Sequence, residues 1–449
     1  MHGVANQLTG APNVLFGMDP LVVSLAIFVI TYAVIVTERL NRAIVAMLGA
    51  GFMIFSGVLD QHAAFQAVDL NTISLLTGMM VIVAIAQKSG LFQYVAIVAA
   101  KAVKADPWRI TLMLAVVTAV FSALLDNVTA VLLIAPVAIL ITNELDQKPY
   151  PYLFSIILAS NIGGTATLIG DPPNIMIGSA ADLTFMDFIA NTAPVAVVVF
   201  VVTMVPIYFM WGRSMRASEE SRAQVMAFNE REAITDMRLL KQSLFIIALT
   251  VFGFVAPAPF NHEPGTVAMF TASIFLLLRA FGRPMEDQSH ETHRAFSEVE
   301  WVTIFFFVGL FIVVAGIERA GVLEIVAEEI ITLTGGDLTL VALLILWASA
   351  VLSTIVDNIP FVATMIPVIN NLGSTFSPDE IMTLWWSLSL GACLGGNGSL
   401  VGASANLVVA GFAERAGHRI GFVQFMLLAF PLMLVSIVIS TAYVYLRYL

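Results

Sequence analysis

The chain has 449 residues, 59% of them apolar and only 11% charged, and its mean hydropathy is +0.93. A soluble domain carries roughly 25% charge, so this composition excludes a water-soluble fold and places the chain in lipid. The net charge of −11, with Lys and Arg in short loops, argues against a nucleic-acid partner, and the single Cys393 excludes an intrachain disulfide or a cysteine-cage metal site.

Residues 1–20 hold no Lys or Arg, so the start does not read as a cleavable signal. About ten crossings of roughly 20 residues are predicted. They fall over 21–37, 43–59, 72–87, 151–175, 192–211, 242–258, 266–282, 301–317, 381–407 and 423–446. Two longer apolar stretches, 110–142 and 339–370, are each cut by Asp-Asn and read as re-entrant hairpins that enter and leave on one side. This path puts all 20 Lys and Arg on one face except Arg319 and Arg447. By the positive-inside rule that face is cytoplasmic, with both termini extracytoplasmic in a bacterial inner (plasma) membrane. The fold class expected is an all-α polytopic membrane protein in two halves, 1–211 and 242–449. A charged cytoplasmic linker, 212–241, joins them.

The halves repeat one another. SALLDNVTAVLLIAP (122–136) recurs as STIVDNIPFVATMIP (353–367), and NIGGTATLIGDPPN (161–174) as LGGNGSLVGASAN (394–406). An odd number of crossings per half turns the second copy upside down. Inverted repeats with broken helices meeting at a midplane site are the pattern of secondary transporters.

Asp126, Asn127 and Thr129 sit at the centre of the first hairpin, and Asp357 and Asn358 at the centre of the second. A carboxylate at membrane depth costs at least ~2.5 kcal/mol and needs a partner, a proton or a wet cavity. The plainer alternative is that each Asp caps the helix it starts. Gly163, Gly164 and Gly170, followed by Pro172 and Pro173, predict unwound backbone in 151–175, with Asn161, Thr165, Thr167 and Asn174 lining a site. The counterpart in 381–407 offers Gly395, Gly396, Asn397, Ser399 and Asn406, but Ala403 replaces Asp171. Asp171 is expected as an ionised cap of the break, since Asp-Pro opens turns, or else as a coupling acid beside Asp126. The glycosylation sequons at Asn127 and Asn397 fall in buried sequence and read as accidental. His290 and His293 read as surface residues of a charged loop, and Cys393 as a small packing residue.

The doubled Asp-Asn and the GDPPN element resemble the ion transporter superfamily, over essentially the whole chain. The branch is that of arsenite/antimonite permeases, NhaD-type sodium/proton antiporters and the melanosomal P protein. The resemblance implies a scaffold and two transport subdomains that move as elevators in a homodimer, with a separate cytoplasmic ATPase as an optional partner. No nucleotide-binding motif is attached, so an ion gradient must drive transport; neither enzymatic activity nor a cofactor is expected. Dicarboxylate relatives carry Ser-Asn-Thr at the hairpin tips, and Asp126 and Asp357 in the Ser position would repel a dianion. The function expected is export of arsenite or antimonite, a neutral trihydroxide, in exchange for protons. Its alternative is sodium/proton antiport, with Asp126, Asp357 or Asp171 alternately holding cation and proton. An anion symporter or a non-transporting membrane receptor comes last.

Overall fold

The computed structural model describes residue 14 and residues 17–37, 39–256 and 262–449, and the regular structure of these residues is helical. Short polar side chains placed before apolar runs start the helices. Asp19, Asn41, Asp69, Asp106 and Asp337 each accept from a backbone N–H of the turn they open. That satisfies donors which lipid would leave bare.

The first half contains α1 (Pro20–Val36), α2 (Arg42–Phe55), α3 (Gln61–Gln66), α4 (Leu70–Ala86), α5 (Leu91–Ala102), α6 (Pro107–Leu124) and α7 (Asn127–Glu144). It continues with α8 (Tyr150–Thr165), α9 (Pro172–Ala180), α10 (Phe185–Asn191) and α11 (Ala193–Ile207), and a short α12 (Glu219–Met226) lies in the linker. The second half contains α13 (Met237–Val255), α14 (Pro264–Ala280), α15 (Met285–Ser297), α16 (Trp301–Arg319) and α17 (Val322–Thr334). It ends with α18 (Leu338–Ile355), α19 (Asn358–Leu372), α20 (Pro378–Gly395), α21 (Ser404–Arg415) and α22 (Phe422–Tyr448).

Among the described residues, eight helices are long and apolar enough to cross a membrane. The chain is a polytopic membrane protein. The two stretches cut by Asp-Asn are each a pair of helices, α6–α7, meeting at Leu125 and Asp126, and α18–α19, meeting at Val356 and Asp357. Breaks separate α8 from α9 and α20 from α21 within the two predicted unwound segments. Three local expectations need correction. The charged loop bearing His290 and His293 is helix α15, with Glu286 and Asp287 in its first turn and Arg294 in its last, the order a helix dipole favours. Asp236 caps α13 and starts it at Met237, inside the stretch read as linker. Finally, α5 is an additional apolar helix, too short at 12 residues to cross.

Close glycine contacts relate the halves. Gly309 of α16 packs on Ala46 and Met47 of α2, and Gly316 on Met53, so these two helices run parallel. Gly78 of α4 packs on Ala268 and Met269 of α14, and Gly265 of α14 on Asn71 of α4. This is the same parallel crossing with the halves exchanged. A Cβ at Gly78 or Gly309 would stand 2.6 Å from partner backbone, so both crossings require glycine. Gly163 lies on Ala119 and Gly395 on Ala350 in the same duplicated way, seating each broken helix on its hairpin leg. Two apolar clusters result. One joins α2, α4, α14 and α16 through Met53, Ile82, Phe275 and Phe307. The other joins α6, α7, α8 and α22 through Leu114, Ile134, Ile157 and Phe425.

Candidate functional site

Both hairpin tips begin with an aspartate that caps the returning helix. Asp126 accepts from the Thr129 backbone N–H at 2.7 Å and from the Thr129 hydroxyl at 2.5 Å. Asp357 accepts from the Ile359 N–H at 3.1 Å, and its second oxygen takes Arg42 Nη1 and the Ser404 hydroxyl, each at 2.8 Å. The capping alternative is therefore satisfied at both tips, yet it uses only part of each carboxylate. The shared Asp-Asn has different partners at the two tips: Asp126 is bound within its own hairpin by Thr129, whose counterpart Pro360 has neither N–H nor hydroxyl to give, and Asp357 is bound to Arg42 of α2.

The breaks are held by amides. Asn174 Nδ2 donates to the carbonyls of Gly164, Thr165 and Thr167, at 3.4, 3.3 and 3.0 Å. Asn406 Nδ2 donates to those of Gly396 and Ser399, both at 2.8 Å. Thr167 donates to the Ala123 carbonyl at 2.6 Å and Ser399 to that of Thr354 at 2.5 Å, tying each break to its hairpin. Thr165 donates back to the Asn161 carbonyl at 2.8 Å. Carbonyls freed by Gly163, Gly164, Gly395 and Gly396 thus find donors inside the protein, as membrane depth requires.

These bonds fix the orientation of every amide in a chain of contacts. Asn406 gives its N–H groups to carbonyls, which only accept, so its oxygen must receive. It receives Asn161 Nδ2 at 2.9 Å, and the same nitrogen reaches Asn397 Oδ1 at 3.0 Å. Asn161 Oδ1 then accepts from Asn127 Nδ2 at 3.2 Å. The relay ends at Asn127 Oδ1, which is buried and has no hydrogen-bond partner among the described residues. In the second half Cys393 occupies the place of Asn161. Its thiol and the Ser389 hydroxyl donate to Asn174 Oδ1, at 3.4 and 2.7 Å. A thiol accepts hydrogen bonds weakly, so Asn358 turns elsewhere. Its Nδ2 lies 3.3 Å from both oxygens of Asp171.

Asp171 is fully buried, and its side chain makes no bond to the start of α9. The expected cap role is not what its contacts show. It faces Asn358 and a cavity of about 260 Å³ instead. Asp126, Asn127, Asp171, Glu298, Glu300 and Arg42 line that cavity, with Thr129, Asn358 and Ser404 beside them. Asp357 borders a second cavity of about 380 Å³ that shares Arg42 and Ser404.

Of the residues singled out from sequence, Asp126, Asn127, Thr129, Asp171 and Asn358 meet at one cavity. Asn161, Gly163, Gly164, Thr165, Thr167, Asn174, Gly395, Gly396, Asn397, Ser399 and Asn406 lie behind it and shape the backbone and the amide relay. Arg42, Glu298, Glu300 and Ser404 did not stand out in the sequence. Arg42 looked like one more cytoplasmic charge and the glutamates like loop acids. Their one signal was position, at or just before the first turn of an apolar helix.

The chain is similar to known transporters. A family profile described as a citrate transporter, CitMHS, matches residues 32–391. The chain is 40% identical over 435 residues to an uncharacterized transporter of Mycobacterium tuberculosis, covering 95% of this chain and 98% of that one. It is 32% identical over 505 residues to the P protein of Homo sapiens, covering 94% of this chain and 59% of that protein. Its fold is similar to the crystal structure of the Alcanivorax borkumensis YdaH transporter, with a TM-score of 0.59 at 14% identity. That match covers 96% of this chain and 98% of the other.

Proposed function

This chain belongs to the CitMHS citrate-transporter family within the ion transporter superfamily, and from that footing we propose that it exchanges a small monovalent cation for protons. The observation that carries the proposal is the unpartnered Asn127 Oδ1, a buried acceptor on a residue that lines a cavity together with Asp126 and Asp171. An acceptor oxygen and two carboxylates suit a sodium-sized ion or protons, and hard oxygen donors are what such cations take. Asp126 and Asp171 would alternate between cation and proton.

Charge discriminates among cargoes. Four carboxylates line the cavity, and the one guanidinium there is already paired with Asp357. A citrate trianion would meet unpaired acids in a low-dielectric site, which disfavours the cargo named for the family. Arsenite or antimonite export in exchange for protons is the second reading. A neutral trihydroxide would donate its hydroxyls to Asn127 Oδ1, Asp126 and Asp171, but it gains nothing from the net negative charge. Cys393 offers it no thiolate cage, being a single buried thiol bonded to Asn174.

The cavity lining includes Gln87, next in sequence to Lys88, and Glu298, close in sequence to Arg294, on the Lys/Arg-rich side of the sequence trace. The positive-inside rule makes that face cytoplasmic and the cavity inward-open, in a bacterial plasma membrane. Purified protein in liposomes with a trapped pH dye, offered sodium, lithium, arsenite or citrate, tests the cargo. Sodium or lithium should drive proton movement. A response to arsenite alone would establish the second reading, and a response to citrate alone would overturn both.

A further inference from the structure

We propose that Arg42 is a resident counter-cation of the transport site, which neutralises Asp357 and holds the second hairpin against the scaffold while the cavity is open. Its Nη1 lies 2.8 Å from Asp357 Oδ2 and 2.6 Å from the Ser404 hydroxyl. The Ser404 hydroxyl closes the triangle by donating to the same Asp357 oxygen at 2.8 Å. The guanidinium carbon stands 4.9 Å from the ring centroid of Phe306, which is itself buried. Arg42 and Phe306 belong to α2 and α16, whereas Asp357 and Ser404 belong to the second hairpin tip and the second break. The contact therefore crosses the seam between scaffold and moving parts. With side chains only 28% and 13% exposed, the pair is poorly screened.

The other half has no copy of this cation. Ala46 under Gly309 corresponds to Ala268 under Gly78, so four residues earlier Arg42 corresponds to Pro264. Exchanging the halves, as inverted repeats do between their two states, would bring Asp126 to Pro264, where no ion pair can form. The lock acts in one state only and makes the cavity-open state the resting one. It also divides the acids. Asp357 is compensated by the protein, which leaves Asp126 and Asp171 to meet cargo.

This inference rests on the cation–proton exchange through an inward-open cavity proposed above, so its test reads conformation without cargo. Leu132→Cys places a reporter on the cavity wall, and labelling of the parent protein sets the background from buried Cys393. An impermeant thiol reagent is applied to everted membranes without an ion gradient. The reporter should label readily in the otherwise unaltered chain, and Arg42→Gln or Asp357→Asn should slow labelling roughly fivefold or more. The double variant should be no slower than either single one. Arg42→Lys keeps the charge, should retain most of the labelling, and serves if Arg42→Gln is not recovered. Unchanged labelling in Asp357→Asn and Arg42→Gln, or additive effects in the double variant, would overturn the lock. A reporter that labels only from the opposite face would overturn the inward-open placement of the cavity, and with it the lock as the device that makes that state the resting one.

Discussion

Asn358, at the tip of the second hairpin, donates to both carboxylate oxygens of Asp171, in the break of the first half, at 3.3 Å each. The sequence repeat provides no second copy of this contact. Ala403 stands in the place of Asp171, and Asn127 gives its N–H to Asn161 instead. The single unduplicated acid thus touches the opposite hairpin, so a change in its charge would be felt at that hairpin's tip.

Asp171→Asn preserves size but removes the titrating group, and no cap bond is lost with it. The variant should reach normal abundance and elute as folded protein, with sodium-driven proton movement lost. Poor folded yield alongside an unchanged pH profile would return Asp171 to the role of a cap.

Stability should respond sharply at the glycine seams. A Cβ on Gly163 would lie 2.2 Å from the Ala119 carbonyl oxygen, so Gly163→Ala must push α8 off α6. Overpacking of this kind costs about 1–3 kcal/mol. Gly411 in α21 has nothing within 4 Å of an added Cβ, and Gly411→Ala should be neutral or stabilising. Thermal unfolding of both variants in detergent checks the contrast.

The linker is tethered outside the membrane. Lys101 Nζ reaches Glu230 Oε2 at 2.5 Å and the Phe228 carbonyl at 2.8 Å. The bond from Lys101 holds the Glu230 carboxyl below its ordinary value of 4.5. A lowered carboxyl pKa stabilises the tether fully above that ordinary value, and the stabilisation fades as pH falls through the folded one. Protease cleavage within 212–236 should therefore accelerate in acid below about pH 4.5 and should be fast at every pH in Glu230→Gln. An acid-resistant protease, with an unstructured substrate as control, gives the comparison.

Topology is open to direct labelling. Single cysteines replacing Arg222 and Arg294 should be shielded from an impermeant thiol reagent on whole cells, and one replacing Asp60 should react. Asn261, expected on the outer face by the same trace, lies outside the described residues. Reaction of Arg222→Cys from outside would reverse the orientation.

Much of the architecture was legible because its signals are local. Asp-Asn cutting an apolar run marked both hairpin tips, and glycines followed by prolines marked the break before α9. The duplicated spacing then linked the halves without any structure. The site was legible only in part. Asp126, Asn127 and Asp171 announced themselves as polar groups at membrane depth, but nothing local says that Asn161 spends its amide on the opposite half while Asn127 keeps an open oxygen. That result depends on contacts more than two hundred residues apart in sequence, as between Asn161 and Asn406 at a separation of 245. Arg42 was hidden for a related reason. A charge at a helix start reads as cytoplasmic until the folded chain brings Asp357 to it.

The measurement that bears most directly on proton-coupled exchange at Asp126 and Asp171 is proton flux driven by a sodium gradient in liposomes. It compares the unaltered chain with Asp126→Asn, Asp171→Asn and the linker control Glu219→Gln. Proton movement should be robust in the unaltered chain and in Glu219→Gln, and it should fall to the protein-free background in both aspartate variants. Full proton movement in either aspartate variant, in protein shown to be folded, would contradict the mechanism.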